Sequence, residues 1–314
     1  MTRWPAVLSE AGITDQRLRR DYETQRRLVR HNRREEYLAA RLLLPAALQP
    51  FVLSVVAFMD ETDKRIDRGD PSIRQKALRS WDQEVRTALL GTDDPQNSTL
   101  RTLRETSERF PQMVTRVCEF LDGAAVEAAW SGFETEPDFQ RYVDSYSLPA
   151  LMLTACLVGP TPKEDEYEPF LRGCRKLIEA MQRTDFLADL REDLAQGHVG
   201  IPLDALRQQG LDVEGLRARP QEAASAVQRL VTVQAGLAAG TLAECTDLPS
   251  LVAQAHRPFL RALISVQELR LRAVEVHGGA LLTEGASPSV AAAARVLWRE
   301  YRAARRIHRG PRLR

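Results

Sequence analysis

Asp185, Asp189 and Asp193 recur at every fourth position in the run Asp185-Phe186-Leu187-Ala188-Asp189-Leu190-Arg191-Glu192-Asp193. Residues four apart on a helix lie one above the other, so this spacing predicts a single carboxylate stripe about two turns long. Three like charges on one face repel, and the stripe is costly unless a cation, or a metal carrying a diphosphate, neutralises it. Asp60, Asp63 and Asp67, spaced three and then four apart, form a similar arrangement earlier in the chain. We expect the two stripes to face each other and hold Mg²⁺ between them, since magnesium takes hard oxygen ligands and binds through one or two carboxylates plus substrate phosphates.

Such a site suits the ionisation of a prenyl diphosphate. The reaction produces an allylic cation and inorganic diphosphate, with metal charge neutralising the leaving oxygens. An apolar or aromatic enclosure must then keep water from the cation. One Asp-x-x-x-Asp on a helix is ordinarily a solvated face; two of them, each abutting an apolar helix, say more.

The elements that would position these carboxylates are helices. Sustained period-two alternation of β-branched residues is absent, whereas helical periodicity rich in Ala, Leu, Arg, Glu and Gln runs almost throughout. A helix from Pro50 through Phe51, Val55 and Phe58 should deliver the first stripe, with Arg68-Gly69-Asp70-Pro71 as its breaker. Ser72 is expected to cap the next helix, and Ser98 and Pro111 to open two more. A helix over 138–158 carries Pro149 inside it, which predicts a kink and a freed carbonyl. One long helix should run from Leu171 through Asp185 and the second stripe to Gly197. A short helix ends near Gly210, and three more are expected over 220–239, 249–276 and 288–307. These readings give an all-α fold in one domain. We divide the chain into a charged N-terminal helical segment, 1–35, read as solvated helices; a main all-α domain, 36–308; and a basic tail, 309–314.

Composition narrows the function. The 314 residues are 44% hydrophobic and 28% charged, enough for a sizeable core. A net charge of +1 supplies no global field for nucleic acid. Cys118, Cys156, Cys174 and Cys245 form no CxxC pair and read as reduced, mostly buried thiols. The longest apolar stretch, 42–59, is broken by Pro45, Gln49, Pro50 and Ser54, which argues against a transmembrane span. We expect a soluble, cytoplasmic protein, with at most peripheral membrane contact.

The motifs in combination resemble the squalene and phytoene synthase family, all-α enzymes that join prenyl diphosphates through two aspartate-rich motifs. Residues 45–67 resemble the first motif and its leading helix, with Asp63 and Asp67 at the outer aspartates. Leu121-Asp122-Gly123, Phe133-Glu134-Thr135, Tyr142 and Pro149-Ala150 follow the middle signature in order. Gln182, Asp189, Glu192 and Asp193 match the second motif, and Gly197 with Ile201-Pro202-Leu203-Asp204 resembles the segment after it. The resemblance implies an isoprenoid-synthase-type bundle around a central cavity, with Asp63, Asp67, Asp189, Glu192 and Asp193 as metal ligands and Asp63, Asp67, Asp189 and Asp193 as the catalytic set. Departures are as informative. Lys64 stands where a second aspartate is common, Asp60 where arginine is frequent and Glu127 where aspartate is usual. Asp185 replaces an asparagine and Ala188 an arginine. His198 and Gly200 take the places of an arginine and a tyrosine used near the diphosphate. The site has therefore lost cations and gained carboxylates.

Supporting roles follow with their plainer alternatives. Asp60, Asp185 and Gln182 are read as substrate-binding. Lys64 and Arg191 could meet a diphosphate, although Arg191 lies off the stripe. His198 could bind phosphate or act as a base; a lone loop histidine is more often incidental. Tyr142 and Tyr146, four apart, could stabilise a cation through their rings or simply pack. Glu127 could deprotonate an acceptor, bind metal or sit on a helix surface. His256 and His277 are too isolated for a metal site. The arginines of the last helix, Arg295 to Arg306, read as a solvated face or as a cover for an anionic ligand.

Because charge for a second diphosphate has been lost, the reading preferred on sequence is transfer of one prenyl group to a small, aromatic acceptor of secondary metabolism. The alternatives are head-to-head condensation of two prenyl diphosphates and a non-catalytic binding or assembly protein on the same fold.

Overall fold

Proline, glycine and short polar breaks divide the chain into helices, and no strand occurs among the described residues of the computed structural model, 2–66 and 70–308. Asp67 and the tail 309–314 lie outside the described residues. The first half contains α1 (Trp4–Glu10), α2 (Gln16–Asn32), α3 (Arg34–Leu43), α4 (Gln49–Ile66), α5 (Pro71–Leu90), α6 (Ser98–Arg109) and α7 (Gln112–Ala128). After a loop come α8 (Glu136–Tyr142), α9 (Leu148–Val158), α10 (Tyr167–Ala188), α11 (Leu190–Gln196), α12 (Leu203–Gln208) and α13 (Val213–Ala218). The longest helix, α14 (Pro220–Ala243), precedes α15 (Arg257–His277) and α16 (Val290–His308).

Helix α4 is the axis of the first half. Gln49 to Phe58 are all buried, and a helix that is apolar on all sides belongs at the centre of a bundle. Helices α1, α2, α5, α6 and α7 surround it. Their shared core includes Val7, Tyr22, Phe51, Phe58, Trp81 and Phe120. The charged first 35 residues are helical as expected, yet they are not simply solvated. Trp4, Val7 and Leu8 of α1 and Tyr22 and Val29 of α2 are buried in that same core. Their arginines occupy the outer faces.

A second core, made by α10 to α15, contains Phe170, Leu177, Leu187, Leu230, Val231 and Leu271. Helix α9 joins the two, giving Leu153, Leu157 and Val158 to one core and Met152 and Ala155 to the other.

Besides α5, which opens at Pro71 behind Asp70 rather than at a Ser72 cap, four boundaries differ from those expected, each for a local reason. The 138–158 helix is interrupted by a π turn over Val143–Ser147, placed just ahead of Pro149. Proline cannot donate to the carbonyl four residues back, and the wider turn absorbs that loss. The turn bulges against α7 at Gly123, where any β-carbon would lie 2.2 Å from the Ser145 carbonyl oxygen. The 171–197 helix breaks at Asp189 into α10 and α11. Pro249 opens only a short 3-10 turn, and the following long helix starts at Arg257 with Pro258 in its first turn. The polar stretch after Gly210 forms an additional helix, α13, because the Asp212 carboxylate accepts from the Gly215 N–H and caps it.

Candidate active site

Asp60 and Asp63 of the first stripe sit at the C-terminal end of α4 and are compensated by protein charge. Asp60 is buried, and its carboxylate accepts from Asn32 Nδ2 at 2.8 Å, Arg33 Nε at 3.1 Å and Lys64 Nζ at 2.7 Å. Burial alone would raise its carboxyl, but the hydrogen bonds from Lys64, Asn32 and Arg33 outweigh that and hold it below the ordinary carboxylate range. Arg33 also donates to Asp63 at 2.5 Å. The guanidinium thus bridges both carboxylates from the junction of α2 and α3. Lys64 is taken up by its own helix, with Asp60 four residues back and Glu61 at 4.0 Å.

The second stripe is the opposite case. Although α10 ends at Ala188, the Asp189 N–H still bonds the Asp185 carbonyl and the Asp193 N–H the Asp189 carbonyl, both at 2.9 Å. The four-residue register of the three aspartates therefore survives the break. Desolvation pushes the Asp185 carboxyl up to about 6, against the pull of Arg270. The Asp193 carboxyl is likewise raised to about 6, by desolvation first and then by Asp189, Glu192 and Glu127, against a hydrogen bond from the Gly200 N–H. Asp189, although exposed at the surface, is raised as well, by desolvation from the surrounding protein and then by Glu192, against Arg270. One oxygen of Asp193, Oδ2, is buried with no hydrogen-bond partner. A buried carboxylate oxygen left bare is costly, and a hard cation would satisfy it.

Two further arginines, not singled out in the sequence, stand near this stripe. Arg270 of α15 lies 3.5 Å from Asp185 and 3.2 Å from Glu35. Around the start of α3, Arg33 therefore holds both Asp60 and Asp63, and Glu35 is linked to Asp185 through Arg270. The two stripes are linked through that helix start by ion pairs. Arg217 of α13 donates to the Leu194 carbonyl at 2.7 Å, beside His198. Arg191, by contrast, turns away to the Thr283 carbonyl at 3.1 Å and is not brought to the aspartates.

Aromatic rings close the space beside Asp193. Trp130 stacks on Phe186, with ring centroids 5.4 Å apart, and meets His198 edge-on at 4.8 Å. Phe133, Phe139 and Tyr142 complete the group. Tyr142 and Tyr146 do approach each other, at 5.5 Å across the π turn, and the Tyr146 ring stacks on Phe120. The Tyr142 hydroxyl donates to Glu127 at 2.6 Å, and burial together with Glu127 raises its ionisation far above normal. Gln182 is not turned on the aspartates; its oxygen accepts from buried Ser147 at 3.1 Å. His198 has Nε2 3.7 Å from Asp193, while burial and then Arg217 lower its pKa, so the imidazole is neutral at pH 7.

The loop carrying His198 and Gly200 is pinned by backbone pairing. The Leu203 and Asp204 N–H groups donate to the Phe133 and Glu134 carbonyls at 2.9 and 3.1 Å. This pairing brings Gly200 so near Phe186 that a β-carbon there would lie 1.9 Å from the ring. Phe186 fills the volume that a side chain at 200 would need. Trp130, Phe139 and the arginines of α13 and α15 were hard to read from sequence because they lie far from the aspartates in the chain.

Among the described residues no three His, Cys, Asp or Glu side chains converge on a metal position, and Asp67 is outside them. The donor set of the second stripe nevertheless fits magnesium, by its raised carboxyls and the bare Asp193 oxygen. An all-helical bundle with two carboxylate stripes, arginines beside them and an aromatic wall has the features that ionisation of a diphosphate would require.

Comparison with known proteins narrows the class. The family pattern described as squalene/phytoene synthase matches residues 29–302, and the chain belongs to that family, whose members are prenyltransferases. A bifunctional CrtB/UppS protein of Streptomyces coelicolor is 30% identical over 283 residues, 90% of this chain and 49% of that protein. The phytoene synthase of Mycobacterium tuberculosis is 25% identical over 190 residues, 60% of each. The chain thus spans about half the length of the first relative and under two thirds of the second. Among solved structures, a dehydrosqualene synthase superposes with a TM-score of 0.79 at 21% identity, over 92% of this chain and 98% of that one. Squalene synthase HpnC from Alicyclobacillus acidocaldarius does so with a TM-score of 0.74 at 25% identity, over 86% and 98%.

Proposed function

We propose that this protein condenses two prenyl diphosphates head to head. The observation that carries this reading is the position of Arg33 and Arg270 at the two aspartate stripes. The preference for an aromatic acceptor, formed on sequence, rested on cations missing at positions 60, 188 and 198. Arg33, Arg270 and Arg217 return that charge from other helices, and the relatives' names favour condensation. Magnesium would be held by Asp189 and Asp193, with Asp63, Asp67 and Glu192 in support; when bound, it supplies the positive charge that a departing diphosphate requires. The arginines bind and orient the diphosphate oxygens. Trp130, Phe186, Tyr142 and Tyr146 exclude water from the allylic carbon and present ring faces to positive charge. The Tyr142–Glu127 pair and neutral His198 are the groups beside this wall able to move a proton.

Incubation with farnesyl or geranylgeranyl diphosphate and Mg²⁺, followed by hydrocarbon extraction, tests the reading. A squalene- or phytoene-type product is expected. Transfer to an added aromatic acceptor, without that hydrocarbon, would instead favour the second reading, which Phe186 over Gly200 supports by making the wall more apolar. A third, non-catalytic reading predicts neither product.

A further inference from the structure

The last helix, α16, is amphipathic yet poorly covered: only Glu300 and Ala304 are buried. Arg261 and Arg299 hold Glu300, each at 2.8 Å, and Arg299 also donates to Ser265, so this side of α16 is fixed on α15. Positions three and four apart share a face. The side away from α15 therefore carries Ala291, Ala294, Arg295, Trp298, Arg302 and Arg305, all exposed. Trp298 is 61% accessible, and it is the one exposed tryptophan of the four. Its ring lies 5.7 Å from that of Tyr301, over which Arg305 is placed. Arg295, Arg302, Arg305 and Arg306 have no carboxylate partner among the described residues. The sequence continues with Arg309, Arg312 and Arg314. Val290, at the start of α16, is 85% exposed, and Val276, at the facing end of α15, is 83% exposed.

We infer that α16 docks this protein on an anionic lipid surface, with Trp298 entering the headgroup region and the arginines pairing with lipid phosphates. A solvated helix has no use for an indole held at the centre of its charged face. An indole flanked by unpaired guanidiniums matches an interface that is apolar below and negatively charged above. Each arginine near such a surface adds to the attraction, and salt weakens it. No helix among the described residues is long and apolar enough to cross a membrane, so this contact lies on the surface. The inference stands on α16 alone and does not depend on the reaction proposed above.

The test is co-sedimentation of the full chain with vesicles of phosphatidylcholine, with or without phosphatidylglycerol, at low and high NaCl. Binding is expected only with the anionic lipid, with a blue shift of indole emission and loss at high salt. Trp298→Ala should remove the emission shift, and Arg302→Gln/Arg305→Gln should weaken partitioning at least about tenfold. Both variants should keep the parent's melting temperature. Equal binding to neutral vesicles, no binding, or binding unchanged in both variants would overturn the inference. So would a dimer that either variant splits without altering vesicle binding, since a second copy would then be what covers the helix.

Discussion

The two aspartate stripes have similar helical spacing, and their described members have opposite electrostatics. At the first, Asp60 is enclosed by Lys64, Asn32 and Arg33, and its carboxyl lies below the usual range. At the second, Asp185 and Asp193 are raised to about 6 and Asp193 keeps a bare oxygen. Asp60 and Asp63 are paired within the protein; the second stripe keeps a bare carboxylate oxygen that charge from outside would satisfy. A spacing motif therefore places carboxylates without stating their charge balance, which is set by the helices packed around them.

The largest effect should fall on activity at the incomplete stripe. Asp189→Ala, or Asp193→Ala, should lower prenyl transfer by at least about a hundredfold, measured as product per enzyme at saturating Mg²⁺. Full activity in either variant would remove the stripe from the site. Next comes a pair of isosteric changes with opposite signs. Asp60→Asn removes a carboxylate that three donors hold, and should destabilise the protein by about 1–3 kcal/mol. Asp193→Asn removes a desolvated charge, and should stabilise the magnesium-free protein by on the order of 1–2 kcal/mol at pH 7.5. Urea melts of both variants, read side by side, would dissolve the comparison if the signs agreed.

The pH dependence has a definite sign. Asp185 and Asp193 are raised above the ordinary 3.8 to about 6 in the folded protein. Between those values the folded state binds more protons than the unfolded chain, so these two groups make stability fall as pH rises through that window. Asp60 acts in the other direction: its lowered carboxyl contributes stability that is lost only at more acid pH, as pH falls through its folded value. Magnesium-free protein should therefore melt higher at pH 5.5 than at pH 7.5, by a few degrees. Added Mg²⁺ with inorganic diphosphate should narrow that gap. A separate effect concerns the wall. Gly200→Ala should cost about 1–3 kcal/mol by forcing Phe186 aside, and Phe186→Ala in the same chain should recover part of it.

Much of this was legible in the residues. Asp185, Asp189 and Asp193 announced a stripe, and their register persists through the break at Asp189. Pro149 announced an interruption, although not the π turn that precedes it. What the sequence concealed was partnership. Nothing local to Arg33 or Arg270 marks them as neighbours of aspartates on α4 and α10, since each contact depends on how α3 and α15 pack. The same holds for Phe186, which looks like an ordinary core residue until backbone pairing at Phe133 and Leu203 brings Gly200 beneath it. Lys64 and Arg191, the cations nearest the motifs in sequence, are drawn to Asp60 and to the Thr283 carbonyl. Proximity along the chain was a poor guide to proximity in space.

The most direct test of the unequal stripes is the thermal shift produced by Mg²⁺ with inorganic diphosphate at pH 7.5 in three proteins: the parent, Asp60→Asn and Asp193→Asn. The account predicts a clear rise in melting temperature for the parent, a similar rise for Asp60→Asn and little or none for Asp193→Asn. A shift undiminished in Asp193→Asn, or one lost only in Asp60→Asn, would contradict it.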